Sequence, residues 1–538
     1  MIIGGGVAAG RRGRTPPGPT RQRSCVIAVD AGTTGVRALA VDEHARVIDI
    51  AYRELTQHFP RPGWVEHDAT EIWDHVVATL AEVADRRRDA GMAVAAVGVT
   101  NQRETVVAWD RRTGRPLHRA LVWQDRRTAA RCDELRDGGH LPLVRKRTGL
   151  VLDPYFSATK MAWLLAEGGV PRTPDLALGT VDAWVVWNLT GGAGDGSGPR
   201  RVSPGAFATD PSNAARTMLF DIGDRRWSAE LADLFGVPLP ALPDVRPSCG
   251  RVGRVAGTAA VASPLLVGVP VSGIAGDQQA ALFGQACFEP GTAKVTYGTG
   301  SFVLVHAGDR VPEPPDGLLA TVAWDLGAAA GTQPAVAYAL EGSVFATGAA
   351  VQWLRDGLGI IEEAADTEPL ARSVPDSGGV HVVPAFTGMG SPWWDPYARG
   401  AIVGITRGTT RAHLARAVVD AMAMQVRDVA DAMSGALGGP LRSLRADGGA
   451  AVMGLLLQRQ ADQLQVPVSR PASTETTAVG AATLAGLAEG VWSSLDELAG
   501  MWSSETEAVP ILEKAEADAE HDRWLQAVAR ARGWAEPA

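Results

Sequence analysis

The sequence predicts an α/β protein built from two large domains, and three observations support that prediction. Short β-branched runs, which are typical of buried strands, alternate along the chain with longer runs of helical periodicity. This alternation is the pattern of an α/β fold, and 538 residues are too many for one ordinary domain. A unit of strand, Gly-Thr turn and strand occurs at 26–42 and again at 293–305. The repetition indicates two related halves that face one another, with a boundary near 284–291.

Composition and charge exclude several classes of protein. The hydrophobic share of 46% and the charged share of 21% are ordinary for a globular protein, so a collagen-like, coiled-coil or wholly disordered chain is excluded. The 51 basic and 60 acidic residues give a formal net charge of −9. Proteins that bind nucleic acid through phosphate contacts are usually basic, so no nucleic-acid partner is expected. The four cysteines are far apart and form no CxxC motif, which is typical of the reducing cytoplasm.

The first 24 residues differ from the rest of the chain. Residues 1–24 hold five arginines and three prolines but no acidic residue. They are expected to form a disordered basic extension, or to result from a start codon placed too early. The remainder is expected to divide into an N-terminal domain at 25–286 and a C-terminal domain at 287–538.

Periodicity, glycine and proline predict the elements between these limits. The uncharged run 255–276 is long enough to span a bilayer. Its two prolines and four glycines predict short buried strands and turns instead, so no membrane insertion is expected. The glycine-rich stretch 191–205 predicts an exposed loop. Strands are predicted over 26–29 and 94–99, and helices over 69–90, 156–167, 411–434, 450–465, 476–489 and 514–533.

Two Gly-Thr turns have the composition of phosphate-binding loops. The chain lacks a GxxxxGK[ST] motif, so backbone N–H groups and a metal ion would have to hold any phosphate. Gly32-Thr33-Thr34 and Gly298-Thr299-Gly300 suit that task, because glycine lets the backbone approach and threonine adds a hydroxyl. Asp30 ends a strand before the first turn and is a candidate Mg²⁺ ligand. A structural β-turn with a capping aspartate is the simpler interpretation of one turn, but the second turn and the DGG sequence at 447–449 favour phosphate.

Two polar segments directly follow predicted buried strands, where α/β sheets bind ligands. In IAGDQQAAL, Asp277 stands at the start of a helix and is either a helix N-cap or a general base for an attacking hydroxyl. In TNQRET, Arg103 and Glu104 offer donors and acceptors that suit a polyol, and a solvated turn with an exposed ion pair is the structural alternative. Trp123, in LVWQDRR, has the pattern of a core residue as well as that of a site residue.

Taken together, eight segments resemble the FGGY family of carbohydrate kinases, which has the actin-like ATPase fold, and within it the glycerol kinases. The resemblance extends from about residue 24 to residue 535. PGWVEHD and TNQRET favour the glycerol kinases over the pentulose and gluconate kinases. The matching segments are DAGTTGVRA (30–38), PGWVEHD (62–68), TNQRET (100–105), LVWQDRRT (121–128), DPYFSATK (153–160), SGIAGDQQAALFGQ (272–285), TYGTGSF (296–302) and DPYARGAIVGITRG (395–408).

The resemblance implies two actin-like (ribonuclease H-like) domains with the active site in the cleft between them. It implies transfer of the γ-phosphate of ATP to the 3-hydroxyl of glycerol, which forms sn-glycerol 3-phosphate in the first step of glycerol catabolism. Asp277 would be the base, and Asp30 and Asp277 would hold Mg²⁺. Glycerol would contact Arg103, Glu104, Trp123, Tyr155, Asp277, Gln278 and Phe302. The phosphates and the nucleotide would contact Thr33, Thr34, Arg37, Thr299, Gly348, Gln352, Gly449 and Met453.

The chain departs from the family pattern at two places. Met453, in AAVMG, stands where the family usually has an asparagine near the adenine, which leaves the contacts to the base open. The segment SPLLVGVP (263–270) replaces a glycine-rich arginine loop at which fructose 1,6-bisphosphate inhibits some members. It has no basic residue, so this inhibition is expected to be absent.

A homo-oligomer, either a dimer or a tetramer, is also expected. Two other functions stay open: another FGGY sugar or polyol kinase, such as a pentulose kinase, and a non-catalytic actin-like scaffold that binds ATP. A panel of acceptors distinguishes the first alternative, and ADP release without a small acceptor would favour the second. The TNQRET and AGDQQ turns disfavour the scaffold, because a scaffold needs no polar pocket of polyol size.

Overall fold

The computed structural model describes residues 23–192 and 205–535, and its N-terminal half is built on a six-stranded sheet. The strands lie in the order β5-β6-β4-β1-β2-β3, with the following bounds: β1 (Ser24–Ala31), β2 (Gly35–Val41), β3 (Val47–Glu54), β4 (Ala93–Asn101), β5 (Cys249–Arg254) and β6 (Pro270–Gly276). β1, β4 and β6 are parallel, whereas β2, β3 and β5 are antiparallel to their neighbours. The central strands are apolar on both faces, as parallel strands covered by helices require.

The C-terminal half is built on a seven-stranded sheet. The strands lie in the order β9-β10-β8-β7-β11-β12-β13, with these bounds: β7 (Thr292–Tyr297), β8 (Ser301–Gly308), β9 (Leu319–Asp325), β10 (Val336–Val344), β11 (Ser443–Asp447), β12 (Val468–Pro471) and β13 (Ser504–Ala508). β7, β11 and β12 are parallel, and the other pairs are antiparallel.

The two sheets share one topology. In each, a strand-turn-strand unit lies beside a third antiparallel strand on one side and two parallel strands on the other. β1, β2, β3, β4 and β6 of the first sheet correspond in this way to β7, β8, β10, β11 and β12 of the second. The predicted α/β class and the two related halves are therefore confirmed. The chain passes from one sheet to the other between β6 and β7, and the assignment of 25–286 and 287–538 as separate domains stays a prediction.

Helices cover the sheets, and most of them lie within a few residues of their predicted limits. The long helix predicted over 411–434 continues to Leu437, because Gly438 is the first residue to adopt the left-handed conformation that ends a helix. The helix predicted over 450–465 starts only at Gly454, because Gly449–Val452 forms a 3-10 turn. The helices used below are α1 (Ala69–Asp89), α2 (Asp277–Gly284), α3 (Gly348–Gln352), α4 (Arg411–Leu437), α5 (Gly454–Leu464), α6 (Thr476–Ala488) and α7 (Lys514–Ala531).

Smaller elements complete the described parts of the chain. Shorter helices occupy Ala129–Asp137, Leu141–Thr148, Ser157–Ala166, Val181–Leu189, Pro211–Ala214, Ala229–Phe235, Gly257–Ala262, Thr367–Arg372 and Leu495–Met501. A five-stranded sheet joins Glu66–His67, Val106–Asp110, Arg115–Pro116, Ala120–Leu121 and Leu176–Thr180. Two-stranded pairs join Ala208–Thr209 to Asp244–Val245, Phe220–Asp221 to Arg226–Trp227, and His381–Val383 to Ala401–Val403.

Helix α6 lies against the first sheet although it follows most of the second sheet in the chain. A Cβ on Gly98 of β4 would collide with the carbonyl oxygen of Ala481 in α6, and a Cβ on Gly480 of α6 would collide with the carbonyl oxygen of Ala280 in α2. The backbones of α6, β4 and α2 therefore touch, which only glycine permits at these positions. One apolar cluster around α6 contains buried side chains of both sheets. This shared core holds the two halves together.

The segments predicted from glycine and proline content agree with the structure in part. The uncharged run 255–276 forms the predicted turns and a buried strand, β6, together with a short helix (Gly257–Ala262) that the sequence did not indicate. In the parts of the chain that the structure describes, no helix is both long and apolar enough to cross a membrane. The predicted extension lies outside the described residues up to residue 22, and the predicted loop does so from 193 to 204.

We expect Gly480→Ala to lower the free energy of unfolding by about 1–3 kcal/mol, because the added methyl group must push α6 away from α2. Gly435→Ala is the matched control. Gly435 also lies in a helix, α4, but nothing lies within 4 Å of a Cβ at this position, so alanine should raise stability by about 0.4–1 kcal/mol. Thermal unfolding followed by circular dichroism compares the two variants. Equal melting temperatures would contradict the backbone contact between α6 and α2.

Candidate active site

The candidate site lies where the carboxyl ends of the parallel strands in the first sheet meet the second sheet. Asp30 is near the end of β1, Arg103 follows β4 and Asp277 follows β6. Arg103 reaches across the junction to Glu341 of β10. The carboxyl ends of parallel strands are the usual place for ligands in α/β proteins. The topology therefore brings the polar segments predicted from the sequence to one place.

The first Gly-Thr turn is held from two sides by side chains. A backbone hydrogen bond of 3.0 Å closes the turn, and the Gln102 side-chain amide donates to the carbonyl oxygen of Gly32 at 3.0 Å. Trp123 Nε1 donates to the hydroxyl of Thr33 at 2.9 Å, and Thr34 is exposed beside it. Trp123 was predicted to contact glycerol and Thr33 to contact phosphate. The hydrogen bond between them places these two predicted residues side by side.

Asp30 is buried next to a pair of oppositely charged side chains. Arg37 Nε lies 3.2 Å from Asp30 Oδ2, and Arg37 Nη1 donates to Glu475 Oε2 at 2.7 Å. Burial raises the pKa of Asp30 to about 6. The charge of Arg37 opposes this shift, and the charges of Asp277 and Glu475 add to it. Asp30, Asp277 and Glu475 face the single positive charge of Arg37, so the formal charge around Asp30 is negative, as a cation site requires.

Arg103 is the centre of the predicted glycerol-binding group. Its Nε lies 2.9 Å from Asp277 Oδ1, and its Nη2 donates to the Tyr155 hydroxyl at 3.3 Å. Glu104 is also buried, and its backbone φ angle of +60° is one that residues other than glycine adopt rarely. The Asp277 side chain, by contrast, is 32% exposed. Arg103, Glu104, Tyr155 and Asp277 are thus brought together, with the candidate base more accessible than the buried Arg103 and Glu104.

Two buried charged residues of the site were missed by the sequence analysis. Glu341 accepts hydrogen bonds from both Arg103 and Arg216, at 2.5 Å and 2.8 Å. Arg216 Nε also donates to Glu104 Oε1 at 2.6 Å. The available signal for Glu341 was a single acidic residue inside the apolar strand sequence VAYALEGSV. A carboxylate in such a strand is costly to bury unless it is paired.

Two of the remaining predicted glycerol residues, Trp123 and Gln278, lie beside this group. The rings of Trp123 and Tyr155 meet edge to face, with their centroids 5.6 Å apart. Gln278 follows Asp277 in α2, and its side-chain oxygen accepts a hydrogen bond from Lys294 Nζ. Burial lowers the pKa of Lys294 to about 8. Phe302 lies on β8 and packs against the apolar cluster that joins the two sheets.

A separate cavity of about 580 Å³ lies in the C-terminal half. Its wall includes five of the eight residues predicted to contact the phosphates and the nucleotide: Thr299, Gly348, Gln352, Gly449 and Met453. The turn after β7 and the start of α3 are tied together by a hydrogen bond from Gly348 N to Gly298 O at 3.0 Å. The volume and the backbone-rich wall suit a nucleotide.

Asp30 and Asp277 fit a divalent cation that takes its other ligands from phosphate and water. Carboxylate oxygens are preferred ligands of Mg²⁺, and Asp30 and Asp277 stand at the carboxyl ends of β1 and β6, two parallel strands of the same sheet. Within residues 23–192 and 205–535, no three His, Cys, Asp or Glu side chains are grouped as a metal site. Magnesium held against a nucleotide usually keeps several waters and uses few protein ligands.

Comparisons with known proteins extend this description. Residues 25–284 match the N-terminal domain, and residues 293–489 the C-terminal domain, of the FGGY family of carbohydrate kinases. The chain is 50% identical over 519 residues to the glycerol kinase of Bordetella parapertussis, and the alignment covers 95% of this chain and 98% of that protein. It is 50% identical over 520 residues to the glycerol kinase of Trichlorobacter lovleyi, with 96% and 100% covered. The crystal structure of Plasmodium falciparum glycerol kinase with ADP is similar, with a TM-score of 0.88 and 30% sequence identity. The match covers 95% of this chain and 98% of that chain.

We expect Gly348→Ala to weaken the binding of ADP about tenfold or more. A Cβ on Gly348 would lie 2.5 Å from the carbonyl oxygen of Gly298, so the methyl group must separate the two turns that line the cavity. Gly500→Ala is the control, because Gly500 lies in a short helix with nothing within 4 Å of a Cβ. Isothermal titration calorimetry measures both affinities. An unchanged affinity in Gly348→Ala would contradict the location of the nucleotide.

Proposed function

The chain belongs to the FGGY family of carbohydrate kinases, and we propose that it is a glycerol kinase, which transfers the γ-phosphoryl group of ATP to the 3-hydroxyl of glycerol. Relatives named glycerol kinase, about 50% identical over 95% of the chain, support glycerol as the acceptor. The observation that carries the proposal is the buried pair of Arg103 and Glu104 with the accessible Asp277 beside it. This group matches a small molecule with adjacent hydroxyls.

Arg103 and Glu104 would select the acceptor through its hydroxyl groups. A hydroxyl both donates and accepts a hydrogen bond, so one polyol can satisfy a guanidinium and a carboxylate at once. Both side chains are almost fully buried, and an acceptor without matching hydroxyls would leave the hydrogen-bonding positions that their protein partners do not use unsatisfied, at a cost in free energy. Trp123 and Phe302 would contact the carbon chain.

Asp277 is proposed as the general base. Its Oδ1 accepts a hydrogen bond from its neighbour's amide, Gln278 N, at 2.7 Å and lies 2.9 Å from Arg103 Nε. In the described part of the chain no hydrogen bond or ion pair engages Oδ2, which is therefore available to a substrate hydroxyl. Oδ2 accepts the hydroxyl proton as the oxygen forms its bond to the γ-phosphorus, and the bond from that phosphorus to the β–γ bridging oxygen breaks with its electron pair leaving on ADP.

The two Gly-Thr turns are proposed to hold the phosphates. The hydroxyls of Thr33 and Thr299 and the backbone N–H groups of both turns would donate to phosphate oxygens. Arg37 would add a positive charge on the side of Asp30. When bound by Asp30 and Asp277, Mg²⁺ would neutralise charge on the phosphate oxygens.

The adenine is proposed to lie in the cavity beside Met453. The Met453 side chain is only 7% exposed and forms part of the cavity wall. A thioether is a weak acceptor and no donor, so this position would hold the base by packing rather than by a hydrogen bond. Selectivity for adenine over guanine would then depend on the shape of the cavity.

Inhibition by fructose 1,6-bisphosphate is proposed to be absent. The segment 263–270 has no basic residue of its own. The structure adds one feature that the sequence did not indicate: Arg254 Nη1 donates to Gly268 O at 2.7 Å. That guanidinium is already engaged by a carbonyl oxygen, and a doubly phosphorylated ligand needs several cations. The absence of inhibition stays a prediction.

The oligomeric state and the compartment also stay proposals. The four cysteines are buried and free, and burial raises the pKa of Cys25, Cys132 and Cys287 to about 11 and that of Cys249 to about 12. Buried free thiols are typical of proteins in a reducing compartment, which supports the cytoplasm. A dimer or a tetramer remains the expected form.

The function is tested by ADP production with and without glycerol. We expect ADP to form only when glycerol is present, and a panel of xylulose, ribulose, gluconate and erythritol to give much lower kcat/KM values. A coupled assay with purified protein and Mg²⁺-ATP measures each rate. ADP formation that needs no acceptor would favour the scaffold alternative, and a higher kcat/KM for a pentulose would favour a different FGGY kinase.

We expect Asp277→Asn to reduce kcat by a factor of about 10²–10⁴, the usual contribution of a positioned base. Asparagine has nearly the same shape and still accepts a hydrogen bond at the helix start, so the fold should remain. The control is Asp496→Asn, which changes an exposed aspartate in the first turn of another helix, Leu495–Met501. Steady-state kinetics and circular dichroism are measured for both. The structure places Gly276, not Asp277, at the N-cap of α2, and near-normal turnover in Asp277→Asn would show that Asp277 has only a structural role in the first turn of that helix.

A further inference from the structure

A fully buried carboxylate, Glu341, joins the two halves of the molecule beside the candidate site. It belongs to β10 of the second sheet and is 0% exposed. Its Oε2 accepts a hydrogen bond from Arg103 Nη1 at 2.5 Å, and its Oε1 accepts one from Arg216 Nη2 at 2.8 Å. We propose that Glu341 is a positioning residue, which holds Arg103 in the orientation that binds glycerol and keeps it from forming a two-pronged ion pair with Asp277. The inference rests on the proposed function and adds a residue to it.

The buried group around Glu341 is electrically balanced. Arg103 and Arg216 supply two positive charges, and Glu104 and Glu341 supply two negative charges, with none of the four side chains more than 2% exposed. Burial alone would raise the pKa of Glu341, but the charges of Arg103 and Arg216 outweigh burial and lower it to about 2. Glu341 is therefore ionised at neutral pH, and both arginines have a charged partner.

The backbone around Glu341 is rigid. β10 has a neighbouring strand on each side, and Glu341 lies opposite Leu304 of β8 and Leu319 of β9. A strand paired on both sides cannot shift without breaking hydrogen bonds of the sheet. The carboxylate is thus a fixed point to which the guanidinium of Arg103 is attached, whereas Arg103 itself follows the end of a strand, in a turn.

Each nitrogen of the Arg103 guanidinium has its own partner. Nη1 donates to Glu341 and, at 3.4 Å, to the Gln279 side-chain oxygen. Nη2 donates to the Tyr155 hydroxyl, and Nε lies against Asp277. Arginine and carboxylate prefer a two-pronged pair when geometry allows it. If Nη1 lost Glu341, the guanidinium could rotate and form such a pair with Asp277. That pair would occupy the carboxylate that accepts the proton and would withdraw Arg103 from glycerol.

The experiment replaces Glu341 by Gln and by Asp. We expect Glu341→Gln to raise the KM for glycerol about tenfold or more, the loss of one charge-assisted hydrogen bond, and to lower kcat, with the KM for ATP changed less than about twofold. Glu341→Asp keeps the charge on a shorter side chain and should give an intermediate KM for glycerol. If circular dichroism shows that Glu341→Gln is unfolded, Glu341→Asp decides the question. A larger rise in its KM for glycerol than in its KM for ATP would support the positioning role.

The control is another buried carboxylate in the C-terminal half, Asp428 of α4, which accepts hydrogen bonds from the side chains of His521 and Trp524. Asp428→Asn should lower thermal stability and leave both KM values unchanged. Glu341 variants whose two KM values rise equally, or stay within twofold of the wild type, would overturn the positioning role. A different result would contradict the proposed function itself: the wild-type protein would then show no glycerol-dependent formation of ADP.

Discussion

Buried charge at the junction of the two sheets is the constraint on which the rest of the site depends. Removing an arginine or a glutamate from water is costly, and the cost is offset only when each charge finds a well-placed partner. Arg103 comes from the first half and Glu341 from the second, and each is satisfied only if the halves meet in one arrangement. The polar site is therefore part of what positions the two halves, together with the apolar core around α6.

Local features of the sequence were sufficient to predict much of this arrangement. The strand-turn-strand units at 26–42 and 293–305 were predicted because the apolar runs and Gly-Thr turns that form them are adjacent in the chain. Five residues expected at the nucleotide line one cavity. Thr299 and Gly449 belong to turns with a local glycine signature, whereas Gly348, Gln352 and Met453 were expected only from the resemblance to a kinase family. The resemblance to a kinase family supplied the order of these turns, and family membership is confirmed.

Contacts between distant parts of the chain could not be predicted in this way. Glu341 pairs with Arg103 across 238 positions, and no local pattern states which arginine a buried glutamate will meet. The same holds for α6, whose packing depends on Gly98 of β4 and on its own Gly480, and for Arg254, which reaches Gly268 from the preceding strand, β5. A periodic pattern predicts that a face is buried, but the partner of that face is decided by the tertiary fold.

The distribution of exposure within the site follows from what each group must do. Asp277 is 32% exposed, whereas Arg103 beside it is 2% exposed. A base must be reached by its substrate, so it cannot be enclosed before the substrate arrives. A group that orients the substrate, however, acts best when packing restricts its motion. Asp277 gains its orientation from the first turn of α2 and from the buried Arg103, and Arg103 from Glu341 in a central strand. Asp277, the one side chain that has to remain accessible, is thus oriented by contacts that lead back to a central strand of the sheet.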